Sequence, residues 1–110
     1  MKKFLYLIIM SNKFIGLNGA QIIKEKLIEF GVTNINAFSG GAVMPLIDQF
    51  HISKNKNINY YIHSHEQNCG HASTGYAKTS GKMGVSIVTS GPGLTNMITP
   101  ILDSTNDSTP

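Results

Sequence analysis

Three short segments carry the residue types that could do chemistry: Ser39-Gly40-Gly41-Ala42, His63-Ser64-His65-Glu66 and Thr89-Ser90-Gly91-Pro92-Gly93. Glu66 stands out among them. It directly follows an apolar strand pattern, opens a helical one, and has no Lys or Arg beside it in the chain. A carboxylate in such a place either complements the dipole of the helix it opens or does acid–base work in a cleft. The run Gly91-Pro92-Gly93-Leu94-Thr95-Asn96 has two glycines of a dinucleotide-binding turn, but Asn96 stands where the third belongs. A tight strand-to-helix turn accounts for those glycines equally well. His63, His65 and His71 invite a metal reading. However, a helical ligand pair wants an i, i+4 spacing, and His65 and His71 are six apart, so no metal ligands are expected. Cys69 lies mid-helix among small residues and reads as a small buried hydrophobe rather than a nucleophile.

The elements that must position these segments alternate in type. Ala20, Ile23, Leu27 and Phe30 form one stripe of a helix, with Asn18 and Gln21 as a capping box and Gly31 as its stop. Val32–Phe38 reads as a strand, and a helix opens at about Ala42, with Pro45 tolerated in its first turn. Lys54–Asn57 reads as a surface loop and Ile58–Ile62 as a strand. Ser64 and Gln67 suggest a second capping box for a helix from about His65 to Ser80, stopped by Gly81. Val85–Thr89 reads as a strand and Gly93–Asp103 as a helix that Pro100 kinks or ends early. The tail Ser104–Pro110 has no apolar content to hold it. Three strand-then-helix units imply an α/β fold, a three-layer sandwich with a parallel sheet and helices on both faces. In such sheets ligands sit beyond the carboxyl ends of the strands, where all three chemical segments fall.

Composition narrows the classes. The chain has 110 residues, nine basic and six acidic, and a formal charge of +3. That length suits one domain. A hydrophobic fraction of 41% with so small a net charge argues against disorder. Charged residues make up only 14%, which suggests that much of the surface meets protein rather than water. All nine basic residues are Lys and they are scattered, so no nucleic-acid partner is expected. A single cysteine excludes a disulfide framework, and no apolar run approaches a membrane span. The start, Met1-Lys2-Lys3 followed by Phe4 to Met10, imitates a short signal peptide without a clean cleavage site. Residues 1–14 are taken as an N-terminal tail, residues 15–110 as the domain, and the cytoplasm as the expected compartment.

Taken together, the motifs resemble the start of the thiamine-diphosphate-dependent decarboxylases and synthases, nearest the acetolactate synthase large subunit. The resemblance is carried by Gly19-Ala20 through Gly31-Val32, Phe38-Ser39-Gly40-Gly41-Ala42, His65-Glu66-Gln67, Gly75-Tyr76-Ala77, Gly81-Lys82, and Thr89-Ser90-Gly91-Pro92-Gly93 with Thr95-Asn96. Phe38-Ser39 and Leu94 differ from the residues that family usually has there. The resemblance implies that residues 15–110 are an incomplete pyrimidine-binding domain and that Glu66 is the catalytic carboxylate. In that family this carboxylate hydrogen-bonds N1′ of the cofactor's aminopyrimidine. The exocyclic nitrogen can then take the proton from thiazolium C2, and the cofactor becomes the electron sink for decarboxylating a 2-oxo acid. Burial away from cations would raise the pKa of Glu66 and suit it to that task.

The resemblance further implies that Gly40, Gly41 and Ala42 line the cofactor and substrate cleft, and that Thr89, Pro92 and Asn96 lie against the aminopyrimidine. It places the Mg²⁺ and diphosphate site, and FAD where the parent enzyme carries it, outside this chain. The implied partner is a second subunit or the remainder of the enzyme, met across a dimer interface. The small residues Gly70, Ala72, Ser73, Thr74, Gly75 and Ala77 suit such close contact, or plain packing on the sheet. Two other readings stay open: a truncated regulatory or partner-binding module without catalysis, and a small α/β nucleotide binder.

Overall fold

The computed structural model describes residues 13–52 and 58–110. The signal-like start at Met1–Met10 and the Lys54–Asn57 loop lie outside the described residues. Helix α1 (Gly19–Glu29) is followed by β1 (Asn34–Ala37), a 3-10 turn (Gly41–Val43) and α2 (Met44–Ile52). Then come β2 (Asn59–Ile62), α3 (Glu66–Ser80), β3 (Ser86–Ile87), α4 (Pro92–Thr95) and α5 (Ile98–Asn106). The strands form a parallel sheet in the order β2-β1-β3. Its register pairs Ile35 with Tyr60, and Ala37 with both Ile62 and Ile87.

The two faces of the sheet are chemically different. Ile35, Ala37 and Ile87 point to one face, where Leu27 of α1 and Leu46 and Phe50 of α2 pack on them. Tyr60 extends this layer and stacks on Phe50 with ring centroids 5.9 Å apart. The opposite face carries Asn36 and Ser86 against α3. Asn36 Nδ2 donates to Ser73 Oγ at 2.9 Å, and His63 Nε2 lies 2.8 Å from Asn36 Oδ1. Ser73 Oγ lies 2.9 Å from the Val85 carbonyl, and Ser86 Oγ lies 3.0 Å from that of Cys69. The two hydroxyls are also 2.8 Å apart. Two hydrogens serve these three contacts, so only two can be hydrogen bonds at any instant. This polar layer ties α3, and with it Glu66, to the central strand.

Several elements differ in detail from the sequence reading. The stripe on α1 is not wholly inward: Leu27 packs on the core, whereas Ile23 and Phe30 are exposed. β1 starts late because Val32 N–H still closes the end of α1 on the Leu27 carbonyl. β3 keeps two of its five expected residues, because the chain after Ile87 leaves the ladder to pack on the loop after β1. His65, not Ser64, caps α3: its Nδ1 accepts from Gln67 N–H at 3.1 Å. Gly81 ends α3 in the left-handed conformation, as expected.

The helix after β3 breaks at Asn96–Met97 rather than at Pro100, and Pro100 falls in the first turn of α5. A proline has no N–H for the carbonyl four residues before it, which here is Asn96, and its ring crowds that carbonyl, so the helical ladder is interrupted at this point. The tail is held by polar rather than apolar contacts. Lys78 pairs with Asp107, Thr109 N–H bonds Ser104 O, and Gly84 N–H bonds Pro110 O.

α3 and the α4–α5 pair run side by side in the same direction. Glu66 meets Asn96, Gly70 meets Pro100, His71 meets Asp103 and Lys78 meets Asp107. At Gly70 the approach leaves no room for a side chain. A Cβ there would lie 2.4 Å from Pro100 Cγ and 2.5 Å from its Cβ. Replacing Gly70 by Ala is expected to overpack a rigid ring, which costs about 1–3 kcal/mol and outweighs the ~1 kcal/mol gained in helix propensity. Gly75→Ala meets nothing within 4 Å and should be neutral or stabilising. Urea melts of both variants check the contrast.

Candidate functional site

The strand order reverses between β1 and β3, so their carboxyl ends flank a topological switch point. Both loops leaving that point are glycine-bearing, and they touch. A Cβ on Gly40 would lie 2.4 Å from Thr89 Cβ, so only glycine lets the loop after β1 approach the loop after β3 this closely. Gly91 reverses the chain with a φ of 66°, a conformation glycine adopts without strain. Pro92 then opens α4, where its missing N–H leaves no bond unmade. Gly93 is buried and packs on Thr89, and its Cα hydrogen side faces Glu66 Oε1.

Glu66 occupies the first position of α3, where the helix dipole favours a negative charge. An exposed glutamate would gain that interaction without desolvation, but Glu66 is only 7% exposed. Burial of a carboxylate needs a partner, and Asn96 supplies one: its Nδ2 donates to Glu66 Oε2 at 2.9 Å. Among the described residues Glu66 has no ion pair with lysine, and no other side chain hydrogen-bonds Oε1. The Asn96 amide holds the carboxyl below its ordinary pKa, aided by the Glu66 backbone N–H and by the nearby His65, while burial pushes the other way. The expectation of a raised pKa is therefore corrected, because hydrogen bonds to the charged form outweigh desolvation here.

The other expected site residues divide into two groups. Gly40, Thr89, Glu66 and Asn96 converge around Gly93 at the switch point. Gly41, Ala42 and Pro92 are exposed on the two flanking loops, and a Cβ on Gly41 would meet nothing. Gly93, which the sequence placed in the Thr89–Gly93 turn without a site role of its own, is the buried residue that Glu66 and Thr89 both meet. Cys69 is fully buried, and burial pushes its thiol up to about 11, which leaves no reactive thiolate. Among the described residues, no three of His, Cys, Asp and Glu converge as metal ligands. Among the same residues, no helix is long and apolar enough to cross a membrane. Four residues of the small stripe, Gly70, Ser73, Thr74 and Ala77, are buried within this chain, so internal packing accounts for them. Gly75 faces outward.

The structure thus defines an α/β domain with a buried, hydrogen-bonded carboxylate at the switch point of a parallel sheet. The family described as "Thiamine pyrophosphate enzyme, N-terminal TPP binding domain" matches residues 17–110, and this chain belongs to it. The chain is 43% identical over 101 residues to the mitochondrial acetolactate synthase catalytic subunit of Saccharomyces cerevisiae, covering 92% of this chain and 14% of that protein. It is 45% identical over 93 residues to the acetolactate synthase large subunit of Lactococcus lactis, covering 84% of this chain and 16% of the relative. An acetolactate synthase of Mycobacterium bovis is also 45% identical, over 86% of this chain and 15% of its own length. The chain therefore spans about one seventh of the length of these relatives.

The lowered pKa of Glu66 has a consequence for stability. A group titrating lower when folded contributes stability above its unfolded pKa, near 4.5, and loses it as pH falls through the native value. Glu66→Gln is expected to flatten the fall of stability in acid below that pH. Urea midpoints from pH 6 down to 3, wild type against variant, check this.

Proposed function

We propose that this chain is the N-terminal segment of a thiamine-diphosphate-dependent 2-oxo-acid decarboxylase and carboligase, most like acetolactate synthase. The parent reaction is decarboxylation of pyruvate and transfer to a second 2-oxo acid. The observation that carries this reading is the buried Glu66 at the switch point of a chain so similar to acetolactate synthases. When bound, thiamine diphosphate supplies a nucleophilic carbon and an electron sink.

The residues of this chain fit the aminopyrimidine end of that cofactor. Glu66 offers Oε1 toward Gly93, beside a wall made by Gly40 and Thr89. A carboxyl oxygen there can hold or release one proton toward a ring nitrogen. Filling the cleft excludes water, and that desolvation works against the lowering effect of the Asn96 bond and raises the carboxyl's affinity for a proton. Thr89, Pro92 and Asn96 border the same space, and Gly40, Gly41 and Ala42 form its other lip. No diphosphate cradle is assigned to this chain: α4 has only four residues, too short for a strong dipole at its start. The diphosphate, its Mg²⁺ and any FAD of the parent enzyme belong to the remainder.

The remainder, or a second subunit, is also the proposed partner. Leu94 of α4 and Ile98, Ile101 and Leu102 of α5 are all exposed, a concentration of apolar surface that suits contact with more protein. The compartment we propose is the cytoplasm, whereas the yeast relative is named as mitochondrial.

The isolated chain is expected to form no acetolactate from pyruvate. In the enzyme assembled with its remaining domains, Glu66→Gln should lower cofactor-dependent turnover by about 10²–10⁴-fold. Acetolactate formation measured with and without thiamine diphosphate checks both. Turnover by the chain alone, or full activity of the Gln variant, would contradict the reading.

A further inference from the structure

The break between α4 and α5 has a chemical result. Asn96 and Met97 keep right-handed helical dihedrals, but the helical ladder is interrupted there, because Pro100 has no N–H to donate to the Asn96 carbonyl, and it resumes as α5. The Asn96 side chain lands on Oε2 of Glu66 at 2.9 Å, while Oε1 lies on the side of Gly93. A carboxyl has two nearly equivalent oxygens, and a proton can sit on either. An N–H donor aimed at one oxygen makes that oxygen the acceptor, because a proton placed on it would oppose the donor. The proton is thereby directed to the other.

We propose that Asn96 is a positioning residue for Glu66: by occupying Oε2 it reserves Oε1, on the Gly93 side, as the oxygen that takes and gives the proton. This deepens, and rests on, the reading of Glu66 as the acid–base group. It also replaces a direct contact of Asn96 with the cofactor ring by an action through Glu66. No bond other than O–H and N–H···O changes: one proton arrives at or leaves Oε1, and the Asn96 amide keeps its hydrogen throughout. The titratable groups beside the carboxyl are His65, which favours its charge, and the fully buried Cys69.

The test uses the 110-residue chain without cofactor. The ¹³C resonance of the Glu66 carboxyl and the side-chain ¹H–¹⁵N resonances of Asn96 are followed from pH 7 to 3. Both sets are expected to move with one midpoint, and Glu66→Gln should abolish the Asn96 titration. Asn96→Ala is expected to raise the Glu66 midpoint, and Asn96→Asp to raise it further by placing a second carboxyl against the first. Asn96 resonances that ignore the Glu66 midpoint in the wild-type chain would overturn the proposal, and that reading needs no variant to fold.

In the assembled enzyme, Asn96→Ala should lower kcat on the order of 100-fold and shift its pH profile. The thiamine diphosphate concentration needed for half-activation should change little. A loss confined to cofactor affinity, with the Glu66 titration unmoved, would contradict it and favour direct contact. If Glu66→Gln left the enzyme active, the proposed function would fail while the Asn96–Glu66 coupling could still be read in the isolated chain.

Discussion

The contact between Gly70 and Pro100 sets the spacing on which the rest of the site depends. It brings α3 and α5 together so closely that no side chain fits between them. One turn earlier along each helical segment lie Glu66 and Asn96, and their hydrogen bond is possible because the packing below them leaves so little room. Proline acts twice in this arrangement. Its ring fills the space opposite glycine, and its missing N–H leaves the Asn96 carbonyl without a helical partner at the break between α4 and α5. A leucine or an alanine at position 100 would supply neither effect in full.

The sheet contributes through its asymmetry. One face is an ordinary apolar layer of Ile35, Ala37 and Ile87 under α1 and α2. The other is a directional polar layer in which Asn36, Ser73 and Ser86 hold α3 by hydrogen bonds. Apolar packing tolerates small slides of a helix, whereas a hydrogen bond loses strength steeply with distance and angle. Placing the polar layer beneath the helix that carries Glu66 fixes the rotation and height of that carboxylate. The parallel strand order then delivers the loops after β1 and β3 to the same end, where the absence of a side chain on Gly40 lets them meet.

Much of this was legible in the chain because it is local. The Asn18–Gln21 box, the Gly81 stop and the alternation of strand and helix follow from short-range rules, and the structure has all of them. Glu66 could be placed at the start of a helix beyond a strand for the same reason. What was not legible depends on pairs far apart in sequence. Nothing in the periodicity says that Pro100 faces Gly70, or that Asn36 in a buried strand finds Ser73. The polar tail illustrates the same limit, since Lys78 and Asp107 meet only after the helices have packed. The direction of the Glu66 shift was misread because burial is suggested by sequence context, while a single donor 30 residues away is not.

Helix packing remote from the carboxylate controls the hydrogen bond between Asn96 and Glu66. The most direct test is the titration of Glu66 in Gly70→Ala, with Gly75→Ala as the control on the outward side of the same helix. If the Gly70–Pro100 contact holds Asn96 in place, the Glu66 midpoint moves up toward the ordinary carboxylate range in Gly70→Ala and stays low in Gly75→Ala. A midpoint as low in a folded Gly70→Ala chain as in the wild type would contradict it.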